Sequence, residues 1–252
     1  MTCYIAGSHK KFKHIRMTYI FADKADPDHM RRVRERMAQS SSKETIDRLQ
    51  ARVELVNDKM SGESRKRLIM QAFKSNTNTK RLMWLRKEAD LVQKATEGIS
   101  SCKAGCSHCC HINVLVTEPE ARVIAKEIGL KSPAEPVSGN TFITADYASE
   151  DGMSRLQAEK QTRLINHFGQ PCPFLESDRC GIYSFRPMAC RQQINMDDDE
   201  LMCKLVEGES IPVPYLNQQM AQAAQPLLWG EKTRSADIRD WFPKGRQTPS
   251  KT

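Results

Sequence analysis

Eight cysteines fall between residues 102 and 203, and only one other, Cys3, lies outside that stretch. Four of them stand within nine residues, Cys102-Lys-Ala-Gly-Cys106-Ser-His-Cys109-Cys110, and Cys172, Cys180, Cys190 and Cys203 follow. A thiolate is a soft, strongly donating ligand, and four together satisfy a zinc ion or an iron-sulfur cluster. A segment carrying eight must fold around them. The N-terminus lacks the positive-then-apolar order of a secretory signal, and no apolar run is long enough to cross a bilayer. The chain is therefore expected in the cytoplasm and off the membrane. In that reducing compartment clustered thiols are metal ligands or redox groups in preference to structural disulfides.

The rest of the composition points to helices. Aromatic residues make up 6 % of the 252-residue chain, 28 % is charged and the mean hydropathy is −0.60. A core must then be built from Leu, Ile, Val, Met and Ala on charged helices. The expected fold is mainly α with irregular loops, a small metal-stapled cysteine-cluster domain packed against an N-terminal helical region. Charge is uneven: residues 1–100 hold 22 Lys and Arg against 12 Asp and Glu, and the remainder 17 against 19. Bases and acids are interspersed in the first part, as on solvated helix faces. The same basic helices leave an acidic partner or a nucleic acid open as a binding partner.

Four regions are expected: a loose N-terminal arm over 1–27, a helical region over 28–99, the cysteine-cluster domain over 100–207 and a C-terminal extension over 208–252. Met17 would serve as a first residue as well as Met1. Ile46, Leu49, Val53, Val56 and Met60 recur with helical spacing, and Gly62 breaks the pattern. Leu68, Ile69, Ala72 and Phe73 mark a second helix. Leu82, Leu85, Ala89 and Val92 mark a third, which Gly98 closes. These stripes predict a helical hairpin on the cysteine segment. Ile112–Val116 reads as a short strand, and Thr117-Glu-Pro-Glu120 as a capping box opening a helix to Gly129. Residues 131–151 read as a surface excursion, Met153–Phe168 as a helix that delivers Cys172, and the polar tail as mobile.

Short gaps in the first cysteine group let several sulfurs point at one centre, and Gly105 allows the tight turn. Adjacent Cys109 and Cys110 point apart in extended backbone, so one of them serves a second metal or is buried. Cys172, Cys180, Cys190 and Cys203 are too widely spaced to meet except by tertiary folding. All eight are candidate metal ligands. The order of words, Cys102, Cys106, Cys109-Cys110, Cys172-Pro-Phe-Leu, Cys180-Gly-Ile-Tyr183, Arg186-Pro-Met-Ala-Cys190-Arg191 and Cys203, resembles the YkgJ-like or CxxCxxCC cysteine cluster family. The resemblance spans about residues 100–207 and departs in one place, three residues instead of two in the first gap. It implies chelation of zinc or iron at these cysteines and leaves the biological role open.

Cys-x3-Cys-x2-Cys is also the spacing of a radical-SAM 4Fe-4S cluster, but no strand-helix alternation of a partial barrel follows it. Flagellin lysine methylases carry a similar cluster by resemblance. Three classes therefore stand: a metal-binding or metal-handling protein, an iron-sulfur redox protein or methylase-like enzyme, and an interaction module stapled by structural zinc. His108 and His111 are alternative nitrogen ligands, or bond a carbonyl or water. Arg186 and Arg191 either hydrogen-bond the sulfurs and offset thiolate charge or form a surface ion pair. Phe174 and Tyr183 read as packing that shields the site, and Trp84, Trp229 and Trp241 are too scattered for a stacking surface. No P-loop, His-Glu-x2-His or Gly-x-Ser-x-Gly motif is present.

Overall fold

A computed structural model describes residues 27–133, 135–136, 142–143, 167, 169–204, 211–218 and 233–245. The N-terminal helices are α1 (Pro27–Gln39), α2 (Lys43–Lys59), α3 (Gly62–Lys74) and α4 (Asn78–Thr96). Each of the last three opens under a side-chain cap. The Ser42, Ser61 and Thr77 side chains accept hydrogen bonds from the N–H groups of Thr45, Ser64 and Lys80, about 1 kcal/mol apiece. Gly62 thus opens α3 under the Ser61 cap, and Gly98, at φ +74°, follows the C-cap of α4.

The predicted stripes are the buried faces, with exceptions at their ends. Leu82, Leu85, Ala89 and Val92 of α4 are all buried, whereas Ile46 and Phe73 lie in water. α3 and α4 form a hairpin whose core of Ile69, Ala72, Leu82, Leu85 and Ala89 also takes in Met188 from the cysteine region. A second cluster joins Val56, Met60, Val92 and Ala95 to Ile194, Met196 and Leu216. The helices and the cysteine region therefore share their cores.

Three arginines reinforce that seam. Arg36 pairs with Asp197 at 2.8 Å, Arg48 with Asp198 at 2.9 Å, and Arg52 with Asp198 at 2.8 Å while donating to the carbonyls of Met196 and Asp197. Part of the N-terminal positive charge is thus consumed inside the protein. Within the hairpin, buried Glu88 pairs with Arg65.

The cysteine region adds β1 (Leu115–Thr117), α5 (Glu118–Glu127), β2 (Phe142–Ile143), β3 (Leu175–Glu176), β4 (Arg179–Cys180), α6 (Met188–Gln192), β5 (Arg234–Asp237) and α7 (Ile238–Trp241). β5 lies between β1 and β2, antiparallel to both, and β3 pairs with β4 across a tight turn at Ser177 and Asp178, both at positive φ. The capping box of α5 forms, with the Thr117 N–H donating to Glu120 Oε2 at 3.1 Å. Glu120 Oε1 accepts from the Met188 N–H at 2.8 Å, so one carboxylate holds the starts of α5 and α6 together. Residues 208–252, expected as an extension, supply β5 and α7 to this core. Trp241 is wholly buried, donates from Nε1 to the Val116 carbonyl at 2.9 Å and packs with Phe174, Ile182 and Phe242. Phe142 and Ile143 of the expected excursion form β2. The arm before Pro27 with Cys3 and Met17, the rest of that excursion apart from its first residues, and the helix expected over Met153–Phe168 apart from His167 lie outside the described residues.

Candidate metal centre

α4 ends at Gly98 and releases the chain into the loop that carries the first thiols. Gly105, at φ +86°, turns it, and a 3-10 turn over His108–His111 follows. Cys109 and Cys110 are consecutive in that turn, and each thiol shifts the protonation of the other. Beyond that pair the other six thiols fall into two sets, both within reach of Cys109, which Cys180 and Cys190 also feel.

Cys102, Cys106 and Cys203 lie within electrostatic reach of Cys109, and Cys203 also of Cys102 and Cys106. These four form an outer group at the seam with the N-terminal helices. The Asn195 N–H donates to Cys102 Sγ at 3.3 Å, and the Asn195 side chain donates to the Asp199 carbonyl and accepts from the Asp197 N–H, both at 2.9 Å. An open cavity of about 420 Å³ is lined by Arg32, Glu200 and, among others, the chain neighbours Ser101 and Lys103 of Cys102 and Lys204 of Cys203.

Cys110 lies within reach of Cys172 and Cys190, and Cys172 and Cys190 of Cys180. This inner group draws one thiol from the 3-10 turn, one from the loop before β3, one from β4 and one from α6. Cys172, Cys180 and Cys190 pack against the core that holds Phe174, Ile182 and Trp241. The two loops are joined directly, the Cys172 N–H donating to the Cys110 carbonyl at 2.8 Å. Arg239 of α7 clamps them further. Its Nη2 donates to the carbonyls of Cys110 at 3.0 Å, Ile112 at 3.2 Å and Gln170, and its Nη1 pairs with Asp237 at 3.0 Å. Asp237 in turn accepts from the Val114 N–H.

Burial dominates the protonation of these thiols. It pushes Cys172 up to about 11 and Cys190 well above the usual thiol range; burial and the neighbouring thiols push Cys203 up to about 12. Cys109 alone falls, to about 7, because Cys110 stands beside it and Arg186 lies near. Arg186 is felt by Cys102, Cys109, Cys180 and Cys190, so one guanidinium faces both groups. Its Nη2 donates to Gln93 Oε1 at 2.7 Å, and it lies 4.3 Å over the Tyr183 ring.

The donor set fits zinc or iron. The eight described thiols are free and all-sulfur, and without a cation their burial keeps most of them protonated. Among the described residues no three His, Cys, Asp or Glu side chains converge with metal-ligand geometry. The fit therefore rests on donor chemistry and grouping.

Other expected site residues sort differently. His111 Nδ1 contacts the Ser107 carbonyl at 3.1 Å, the carbonyl-bonding alternative. Arg191 is buried and braces the 183–186 turn through the carbonyls of Ser184 and Arg186 and an ion pair with Asp90, so it is no surface pair. Phe174 is core, but Tyr183 is 54 % exposed and carries Arg186 on its ring, which corrects its reading as buried shielding. Asn195, Asp237 and Arg239 were invisible as site residues, because only tertiary pairing brings them to the thiols. The Asp237 N-cap before Ile238 is the one local signal among them.

Among known proteins, residues 101–207 match the family model CxxCxxCC, described as "Putative zinc- or iron-chelating domain". No curated protein and no solved structure matches the chain.

Proposed function

With residues 101–207 a CxxCxxCC domain, we propose that the protein binds zinc or iron at two centres. Cys102, Cys106, Cys109 and Cys203 are the donors of the outer centre, and Cys110, Cys172, Cys180 and Cys190 those of the inner one. The observation that carries this reading is the grouping around adjacent Cys109 and Cys110: Cys102, Cys106 and Cys203 feel Cys109, Cys110 feels Cys172 and Cys190, and those two feel Cys180, while Cys109 is also felt by Cys180 and Cys190. A cation there supplies the positive charge that holds buried thiols as thiolates. The inner centre, set on the hydrophobic core, staples the fold. The outer centre, at a seam beside an open cavity, is where metal exchanges with solution. Eight free thiols fit a reducing compartment such as the cytoplasm. Among the described residues no helix is long and apolar enough to cross a membrane. Use of Arg36, Arg48 and Arg52 in internal ion pairs weakens the case for a basic docking face.

The test is metal analysis of anaerobically purified protein and of two variants. Two ions per chain are expected in the native protein and one in each of Cys190→Ser and Cys203→Ser, with the larger loss of stability in Cys190→Ser. Protein without stoichiometric metal refutes the reading, and loss of the same ion in both variants refutes the division. Colourless zinc protein assigns metal handling. Iron with matching sulfide assigns an iron-sulfur centre and moves redox chemistry, including a methylase-like reaction, to first place.

A further inference from the structure

Where α4, α5 and α6 meet the turn at 183–186, an open cavity of about 280 Å³ has an apolar wall of Leu82, Met83 and Val123 and a cationic one of Arg86, Lys87 and Arg191. Asp90 is the one acidic residue lining it among the described residues. Its charge is already answered, by an ion pair with Arg191. The other Arg191 nitrogens donate to the carbonyls of Arg186 and Ser184, so each nitrogen of that guanidinium is engaged.

Arg86 is not engaged in this way. Its Nη2 donates to the Phe185 carbonyl at 2.7 Å, its Nε is buried with no partner, and its Nη1 has none among the described residues. The carboxylates it feels, Glu120 and Glu127 of α5 and Asp90 of α4, form no ion pair with it. Glu120 is committed to the N–H groups of Thr117 and Met188. Burial and the like charge of Arg191 both work against the Arg86 cation. A guanidinium does not deprotonate in a protein, so that cost persists until an anion offsets it. Lys87, 4.5 Å over the Trp84 ring, adds a second cation with no carboxylate partner among the described residues. The cavity therefore carries three positive side chains against one negative.

We propose that this cavity binds a small organic carboxylate, with the carboxylate group on Arg86 and a short apolar chain against Leu82, Met83 and Val123. Arginine is the side chain whose donor geometry matches a carboxylate. The apolar wall favours an organic anion over inorganic phosphate, which has nothing to bury there. A volume of about 280 Å³ lies just under the range of about 300–1,000 Å³ for drug-sized ligands, so the chain is short. The site uses no cysteine, and the proposal is independent of the metal centres.

The test titrates the full chain with sodium butyrate, sodium acetate and inorganic phosphate at constant ionic strength, followed by thermal melts and by broadening of the ligand's NMR lines. Butyrate should bind saturably, raise the melting temperature, and bind roughly 10-fold tighter than acetate, from two more methylenes on the apolar wall. Arg86→Gln should weaken butyrate by roughly 10-fold or more, the range for a hydrogen bond to a charged group. Lys87→Glu, an exposed substitution, should weaken it by roughly 3-fold or more and decides the matter should Arg86→Gln not fold. Absence of saturable butyrate binding overturns the proposal. Acetate or phosphate that binds as tightly as butyrate overturns it too, as does butyrate binding that the folded variants keep at native strength.

Discussion

Arg239→Met should remove most of the stability of the cysteine region. Arg239 is 7 % exposed, and its guanidinium donates to the carbonyls of Cys110, Ile112 and Gln170 while pairing with Asp237. Methionine fills similar space but has no donor. The Cys110 carbonyl keeps the Cys172 N–H, so chiefly the other two lose a donor, at about 1–3 kcal/mol for each buried group left unpaired. Asp237 is left as a buried charge, a loss in the range of about 3–5 kcal/mol for a broken buried pair, moderated by the N–H groups of Val114 and Arg239 that it keeps. These contributions overlap, and a total on the order of 5 kcal/mol is expected. That equals the lower end of a domain's whole stability, about 5–15 kcal/mol. The double variant Asp237→Asn/Arg239→Met strands no charge and should recover roughly 2 kcal/mol. Urea unfolding followed by far-ultraviolet circular dichroism, at fixed metal concentration, measures both. A single variant within 1 kcal/mol of the native protein, a margin below about 1 kcal/mol per hydrogen bond, would refute the clamp. A double variant no more stable than the single one would refute the role given to the stranded charge.

Glu88→Ala should cost about 3 kcal/mol by leaving half-buried Arg65 without its carboxylate, and Glu88→Gln less, both read from thermal melts. The hydrogen bond from His167 to Asp240 at 3.0 Å, with support from Gln170 and the charges of Asp240 and Asp237, raises the His167 pKa above its ordinary value. A raised pKa makes the protonated form the stabilising one, so the contribution is full below the unfolded value of about 6.5 and is lost as pH rises through the folded value. The stability gap between native protein and His167→Asn should therefore shrink between about pH 6 and pH 8 in denaturant titrations. Gly245 has φ +59°, and an added Cβ would stand 2.4 Å from the Pro173 carbonyl oxygen. Gly245→Ala should then cost at least about 1–2 kcal/mol in a thermal melt. Residues 101–207 alone lack β5, α7 and Arg239, so they should bind less metal than the full chain after equal reconstitution.

What could be read from the sequence was what local physics decides. The α4 stripe of Leu82, Leu85, Ala89 and Val92 is buried because helical spacing puts those residues on one face, and the Thr117 capping box forms because its partners are three residues apart. The thiols were equally legible, since their chemistry is intrinsic. The segment Arg234-Ser-Ala-Asp-Ile-Arg-Asp-Trp241 reads as a polar tail and is core, because its charges find partners far away: Asp237 with Arg239 and Val114, Asp240 with His167. Arg36, Arg48 and Arg52 read as surface for the same reason, their partners standing some 150 residues on.

Those arginines also bear on what metal would do to the rest of the protein. Asp197, Asp198 and Asp199 lie between Asn195, which holds Cys102, and Cys203. Arg36 of α1 and Arg48 and Arg52 of α2 grip the three aspartates. The segment that docks the helices is therefore the segment that carries a thiol of the outer group, and Asn195 fixes it further through the Asp199 carbonyl and the Asp197 N–H, both at 2.9 Å. A ligand that binds only the native arrangement stabilises it by RT ln(1 + [L]/Kd), wherever the contacts lie. Metal held at the outer group thus tightens the docking of α1 and α2 as well as its own loop. Arg36→Gln and Arg52→Gln, which remove no candidate ligand, should in turn weaken retention of the outer ion, by the same linkage read in the opposite direction.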